Sequence, residues 1–200
     1  MIIMGIILIQ GGARSGKSSF AELIAKKLGG LDVIYLASGV VTDPEMELRI
    51  EKHKQQRPVQ WQTVEEAYNI SYYLKDADKN KTILFDCLTT YLGNLIFKKQ
   101  DYDFIKMEAE ILEEIEMILT IARRKDLNLI IVHNETGKGV VPASKMGRDF
   151  RDISGRAARL AAKYAEKVYL VQSGLPLEIK EKGLKNIEEY TSESEEVRVL

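Results

Sequence analysis

Short apolar runs alternate along this chain with longer amphipathic stretches, and each kind predicts its own element. Ile2–Gln10 reads as a buried strand that runs straight into a glycine-rich turn. Ser18–Leu28 then places Phe20, Leu23, Ile24 and Leu28 on one helical face, and Val33–Ala37 is a second short strand. Asp43 as N-cap and Pro44 at the first helical position open a further helix. It runs to about Gln56, because Pro58 disfavours helical geometry at Arg57. Val59–Val64 alternates as a half-buried strand does, with Val59, Trp61 and Thr63 on one side. The pattern continues with a helix over Glu65–Leu74 and a buried strand over Thr82–Phe85 that ends at Asp86. Leu88–Phe97 and Tyr102–Arg124 are helical, the second carrying Phe104, Met107, Ile111, Ile115 and Ile118 at helical spacing. A strand over Leu127–Val132, a loop over Asn134–Lys145 and a helix over Met146–Glu166 follow. Lys167–Val171 is the last core strand, with Leu177–Lys180 as an edge.

Strands separated by helices predict an α/β fold, a mostly parallel sheet with helices on both faces. No internal repeat or linker divides residues 1–200, which read as one domain; the strongly charged stretch 181–200 is expected to be a solvated, partly mobile tail. With 45% hydrophobic and 30% charged residues the chain can bury a full core under a polar surface. A net charge of -1 and a pI near 6.2 supply no general field for nucleic acid, so a bound anion must be held by local chemistry. The apolar start lacks a basic leader and a cleavage site and is too short to span a bilayer, which predicts a cytoplasmic protein without a membrane span. Cys87 is the sole cysteine; it excludes an intrachain disulfide, fits a reducing compartment and reads as a small buried core residue.

The chemistry starts at Gly11-Gly12-Ala13-Arg14-Ser15-Gly16-Lys17-Ser18, a full match to the phosphate-loop pattern G-x-x-x-x-G-K-[ST], with a strand before it and a helix after it. Glycines let the backbone curl so that several N–H groups point at phosphate oxygens, and the helix start adds its positive end. Lys17 supplies a point charge for the β- and γ-phosphates, and the Ser18 hydroxyl can ligate Mg²⁺. A second acid is expected at the end of a neighbouring buried strand, to hold Mg²⁺ directly or through water. Asp86 is the candidate, and its other reading, a cap for the helix that starts near Leu88, is compatible with that role.

A regulatory GTPase is expected to carry N-K-x-D after a late strand, and here the strand leads into His133-Asn134-Glu135-Thr136-Gly137 instead. The two histidines differ in surroundings. Arg49, Lys52, Lys54 and Arg57 lie within one helical turn of His53, opposed by Glu47 and Glu51. Cations disfavour imidazolium, keep a ring nitrogen free near neutral pH and stabilise charge building on a phosphate under attack. That environment suits a histidine that attacks phosphorus, whereas His133 reads as structural.

Five ordered segments then carry a resemblance: GGARSGKS; Asp43–Pro58 (DPEMELRIEKHKQQRP) followed by Trp61; Phe85-Asp86-Cys87-Leu88-Thr89-Thr90; Asn134-Glu135-x-Gly137-x-Gly139-x-Val141-Pro142; and Phe150-Arg151-Asp152-x-x-Gly155-Arg156. From the first strand to about Lys180 the chain resembles the bifunctional adenosylcobinamide kinase/adenosylcobinamide-phosphate guanylyltransferases. The resemblance implies a P-loop fold similar to the nucleotide-binding core of recombinases, and two reactions. ATP or GTP phosphorylates adenosylcobinamide, a corrinoid; then a histidine attacks the α-phosphorus of GTP and passes GMP to adenosylcobinamide phosphate. The histidine in the family's H-K-x-x-R-P context maps to His53. Nucleotide contacts map to Gly11–Ser18, to Ser38, Gly39 and Val40, to Lys54, Gln55, Gln56 and Arg57, to Glu65 and to Asp86. A homo-oligomer, a trimer, is also implied. The chain departs from the family at His133, where Ser or Thr is usual, and at Thr136, where Val is. Two other readings stand beside this one: a P-loop small-molecule kinase without a covalent histidine, and a nucleotide-dependent switch module.

Overall fold

The computed structural model describes residues 5–40, 58–99 and 102–190. Within them the order is β1 (Ile6–Gly11), α1 (Lys17–Gly29), β2 (Val33–Ala37), β3 (Gln62–Glu65), α2 (Ile70–Asp76), β4 (Thr82–Asp86), α3 (Leu88–Phe97) and α4 (Phe104–Arg124). Then come β5 (Asn128–Asn134), α5 (Lys145–Tyr164), β6 (Lys167–Gln172), β7 (Leu175–Glu178) and α6 (Lys180–Tyr190). The helix expected from Asp43 to Gln56 lies outside the described residues, as do His53, Lys54, Gln55, Gln56 and Arg57.

The strands form one sheet in the order β3-β2-β4-β5-β1-β6-β7, parallel throughout except for β7, which runs antiparallel to β6. This is the expected α/β architecture with a mostly parallel sheet. Its central strands are continuously apolar because helices cover both faces. One face packs Ile7, Ile9, Tyr35, Leu84, Ile130 and Val132 against Ala21 and Ala25 of α1 and against Trp61. The other packs Ile6, Leu8, Ile83, Phe85, Leu129 and Ile131 against α2, α3, α4 and α5. The 21-residue α4 packs on the sheet through a buried stripe from Met107 through Ile111, Ile115 and Ile118 to Ala122. Asp103 caps it by accepting from the N–H groups of Ile105 and Lys106.

Three expectations change. The strand foreseen from Val59 begins only at Gln62: Val59 is 96% exposed, while Trp61 is buried and its Nε1 donates to the Gly30 carbonyl at 3.1 Å. Thr63 is exposed as well, because β3 is the edge strand and Val64 is the side chain it turns toward the core. The helix foreseen from Glu65 begins at Ile70. Glu65 instead pairs with Ala37 as the last residue of β3, and the Glu66 carboxylate accepts from the N–H groups of Tyr68 and Asn69, turning the chain first. The charged stretch expected from 181 to 200 is a helix over its described residues, Lys180–Tyr190, which buries no residue; 191–200 lie outside the described residues. It is pinned at its start, where Lys180 Nζ reaches the carbonyls of Ala162, Lys163 and Ala165 at the end of α5.

Candidate active site

Parallel strands place their C-terminal ends on one edge of a sheet, and ligands of open α/β sheets bind in the crevice outside that edge. Here the edge carries Gly11 of β1, Ala37 of β2, Glu65 of β3, Asp86 of β4 and Asn134 of β5. Register aligns Glu65 with Ala37, Ala37 with Asp86, and Asp86 with Val132.

The loop after β1 takes left-handed backbone at two positions, only one of them a glycine. Arg14 and Gly16 both hold positive φ, 57° and 92°, and α1 starts from Gly16. Packing requires a glycine at Gly11, and the left-handed backbone favours one at Gly16. A Cβ at Gly11 would lie 2.4 Å from the Val171 carbonyl oxygen, and one at Gly16 would lie 3.2 Å from the Gly174 Cα. Gly12 faces open space, and with Ala13 and Arg14 it is exposed. Ser15 shapes the loop from within. Its N–H donates to the Gly12 carbonyl at 3.3 Å, its carbonyl accepts from Gly174 N–H at 2.9 Å, and its buried hydroxyl turns toward Gly11. Lys17 Nζ donates to the Gly12 carbonyl at 3.0 Å, which holds the ammonium at the loop. Partial burial lowers the Lys17 pKa from its ordinary 10.5, and the nearby Cys87 and Asp86 act against that shift. Ser18 sits half-buried in the first turn of α1.

Asp86 lies two strands from β1, with β5 between. Its Oδ2 accepts the Tyr35 hydroxyl at 2.5 Å, and its field reaches Lys17. It does not cap the helix that follows. Cys87 does, its Sγ accepting from Thr90 N–H, so the cysteine read as core is a half-buried N-cap. Enclosure pushes the Cys87 thiol pKa up, which keeps it protonated and unreactive beside the loop.

The remaining expected contacts fall elsewhere along the edge. Ser38 is fully buried. Its hydroxyl accepts from Cys87 N–H at 3.0 Å and donates to the Cys87 carbonyl at 2.8 Å, its N–H donates to the Asp86 carbonyl, and its own carbonyl accepts from Asn94. It ties β2 to β4, and Gly39 and Val40 follow it half-buried. Glu65 is exposed and four strands from β1, about 19 Å at the usual strand spacing. The expected contacts therefore spread along the edge: the glycine loop after β1, Asp86 two strands away with Ser38 bonded to its carbonyl, and Glu65 farthest out on β3.

A pair of hard oxygen donors, the Ser18 hydroxyl and the Asp86 carboxylate, suits Mg²⁺, which takes one or two protein oxygens and fills its shell with phosphate and water. Among the described residues no group of three or more His, Cys, Asp or Glu forms a cage for a metal.

Sequence comparison assigns the family. Residues 7–179 match the family model described as cobinamide kinase/cobinamide phosphate guanyltransferase. The chain belongs to that family. It is 38% identical over 182 residues to the bifunctional adenosylcobalamin biosynthesis protein CobU of Escherichia coli, covering 88% of this chain and 99% of that one. It is 36% identical to CobU of Salmonella typhimurium over the same shares. The CobP protein of Pseudomonas aeruginosa is 38% identical over 174 residues, covering 86% of this chain and 96% of its own. In fold, the RadB recombinase and a KaiC-like protein of Pyrococcus horikoshii align with TM-scores of 0.43 and 0.45, each at 14% identity and over 83% of this chain, and over 73% and 70% of theirs. Those values add nothing to what the strand order itself establishes. A cobinamide kinase and a cobinamide phosphate guanyltransferase are enzymes, so the family is one of enzymes.

Sequence reasoning passed over the role of the β6–β7 turn, which braces the loop through Gly174. The signal was present in Ser173-Gly174, a pair suited to a tight hairpin, and both residues hold positive φ.

Proposed function

We propose that this chain phosphorylates adenosylcobinamide with ATP or GTP and then transfers GMP from GTP to adenosylcobinamide phosphate, through a guanylyl group carried on His53. The observation that carries the reading is the family assignment over residues 7–179, joined to a glycine loop in which packing excludes a side chain at Gly11 and left-handed backbone disfavours one at Gly16. What supports His53 is its sequence context: H-K-x-x-R-P, with Arg49, Lys52, Lys54 and Arg57 around it.

In the kinase step the loop amides and Lys17 hold the triphosphate, and the acceptor hydroxyl attacks the γ-phosphorus. Ser18 and Asp86 would hold Mg²⁺, which when bound neutralises charge on the phosphates. In the second step the neutral His53 ring nitrogen forms a bond to the α-phosphorus while the bond to the α–β bridging oxygen breaks and pyrophosphate leaves. A phosphate oxygen of the acceptor then displaces the imidazole. Lys54, Gln55, Gln56, Arg57, Glu65 and the Ser38–Val40 turn are proposed to contact that nucleotide. The reactions belong in the cytoplasm, where the single thiol of Cys87 stays reduced.

The test is trapping with α-labelled GTP. Wild-type protein should acquire an acid-labile, base-stable label, released only when adenosylcobinamide phosphate is added, and His53→Ala should acquire none. Label retained in His53→Ala ends the assignment of the nucleophile. Phosphorylation of adenosylcobinamide with no label in the wild type would leave a kinase without a covalent step.

A further inference from the structure

Phosphoryl transfer from the glycine loop needs a group to take the proton of the attacking hydroxyl, and the strand order limits which carboxylate can do so. Four carboxylates stand at or just past the C-terminal edge among the described residues of β3, β4 and β5: Glu65, Glu66, Asp86 and Glu135. Glu65 and Glu66 follow β3, about 19 Å from β1 at about 4.8 Å per strand, and Glu66 is committed to the N–H groups of Tyr68 and Asn69. Asp86 is two strands away on the α1 side and takes the Tyr35 hydroxyl.

Glu135 differs from all three. It leaves β5, the strand next to β1, directly after Asn134, which is in register with Gly11. Its N–H donates to the Gly11 carbonyl at 2.9 Å, so the residue is fastened to the first glycine of the phosphate loop. Its partner on the other side is equally fixed: Asn134 N–H donates to the Thr89 hydroxyl at 2.7 Å, and that hydroxyl donates back to the Asn134 carbonyl. One carboxylate oxygen, Oε1, accepts from Gly137 N–H at 3.1 Å, which orients the side chain while it stays half-buried. The Glu135 carboxylate and the Lys17 ammonium both lie close enough to the buried ring of His133 to shift its titration, in opposite directions. Beyond it the loop exposes Val140 and Val141, apolar surface of the kind a corrinoid face would cover.

We infer that Glu135 is the general base of the kinase step, accepting the proton of the acceptor hydroxyl as that oxygen attacks the γ-phosphorus. This rests on the function proposed above. The balance is simple. The hydroxyl proton passes to the Glu135 carboxylate, the oxygen bonds to phosphorus, and the bond from the γ-phosphorus to the bridging oxygen breaks. The nucleoside diphosphate leaves with that electron pair, and Glu135 later gives its proton to water. The guanylyl step has no such need, since its nucleophiles are a neutral imidazole and an ionised phosphate.

Glu135→Gln keeps the oxygen that accepts from Gly137 and removes the basicity. Two assays on the full-length protein decide the matter: phosphorylation of adenosylcobinamide by ATP, and labelling by α-labelled GTP with discharge to supplied adenosylcobinamide phosphate. Phosphorylation should fall by about 10²-fold or more, the usual contribution of a general base, while labelling and discharge stay within a few-fold of wild type. Phosphorylation that survives the substitution overturns the inference. So does parallel loss of both activities, which would mark Glu135 as a support for the loop and not a base. A wild-type chain that performs neither reaction would instead sink the parent reading, a result separable from these two.

Discussion

At the scale of single residues, His133 shows how burial sets chemistry. It is 2% exposed, its Nε2 lies 2.9 Å from the Ser154 hydroxyl, and Thr136 donates to the same hydroxyl. Burial, reinforced by Lys17, lowers its pKa to about 4 from 6.5, with Glu135 pulling the other way. The folded ring therefore stays neutral where an unfolded one would take up a proton. Its contribution is fully present above pH 6.5 and is lost as pH falls from there toward 4, because in that window the unfolded chain binds the extra proton. At about 1.4 kcal/mol per pH unit of separation the loss is about 3 kcal/mol. Denaturant melts across pH 7 to 4 should show that fall, and His133→Ser should flatten it. An unchanged slope in the variant would exclude His133 as the source. The reading of His133 as structural came from its place at a strand end. The cation beside it, Lys17, was invisible in sequence because 116 residues separate the two along the chain.

At the scale of elements, β6 and the β6–β7 turn press against the glycine loop. Gly11 is a fixed glycine of the motif and Gly12 fills a variable position, and their packing differs in the same sense. A methyl group at Gly11 would meet the Val171 carbonyl oxygen at 2.4 Å and the Ser15 hydroxyl at 2.6 Å, whereas one at Gly12 would meet nothing within 4 Å. Gly11→Ala should destabilise the fold by about 1–3 kcal/mol, the usual cost of forced overpacking. That corresponds to roughly 2–4 °C of melting temperature per kcal/mol at this size. Gly12→Ala should stay within about 0.5 kcal/mol of wild type. Equal melting temperatures for the two variants would contradict the packing described for β1 against β6. The turn that fixes the loop is itself held by Gly174 N–H on the Ser15 carbonyl, so the loop's shape depends on residues about 160 positions downstream.

At the scale of the whole molecule, apolar surface left uncovered bears on assembly. Leu175 on the edge strand β7, Ile105 at the start of α4 and Val140 in the loop after β5 are all exposed. Among the described residues β7 is also an edge strand, a kind of surface that proteins commonly cover by association. The trimer implied by the family resemblance would account for such surface. We expect light scattering to give a mass near three times 22.7 kDa at micromolar protein, and a monomer mass would exclude a stable trimer. No helix among the described residues is long and apolar enough to cross a membrane.

Local physics alone carried a large part of this. The apolar runs specified β1, β2, β4, β5 and β6 to within a few residues, since a buried parallel strand must be continuously hydrophobic. The glycine loop was legible as a phosphate-loop pattern, because its glycines, lysine and serine stand at the spacing that pattern requires between a strand and a helix. Edges were less legible: Val59, Glu65 and the stretch after Lys180 took other structures than their local pattern suggested, since each is decided by what it pairs with across the sheet or at the end of a distant helix. Only the tertiary structure could rank the carboxylates. Strand order sets Glu65 about four strands from the phosphate loop and Glu135 beside it, a difference of roughly 15 Å that no one-dimensional spacing encodes. A chain's residues determine which groups it owns, and long-range strand pairing determines which of them can reach the same phosphate.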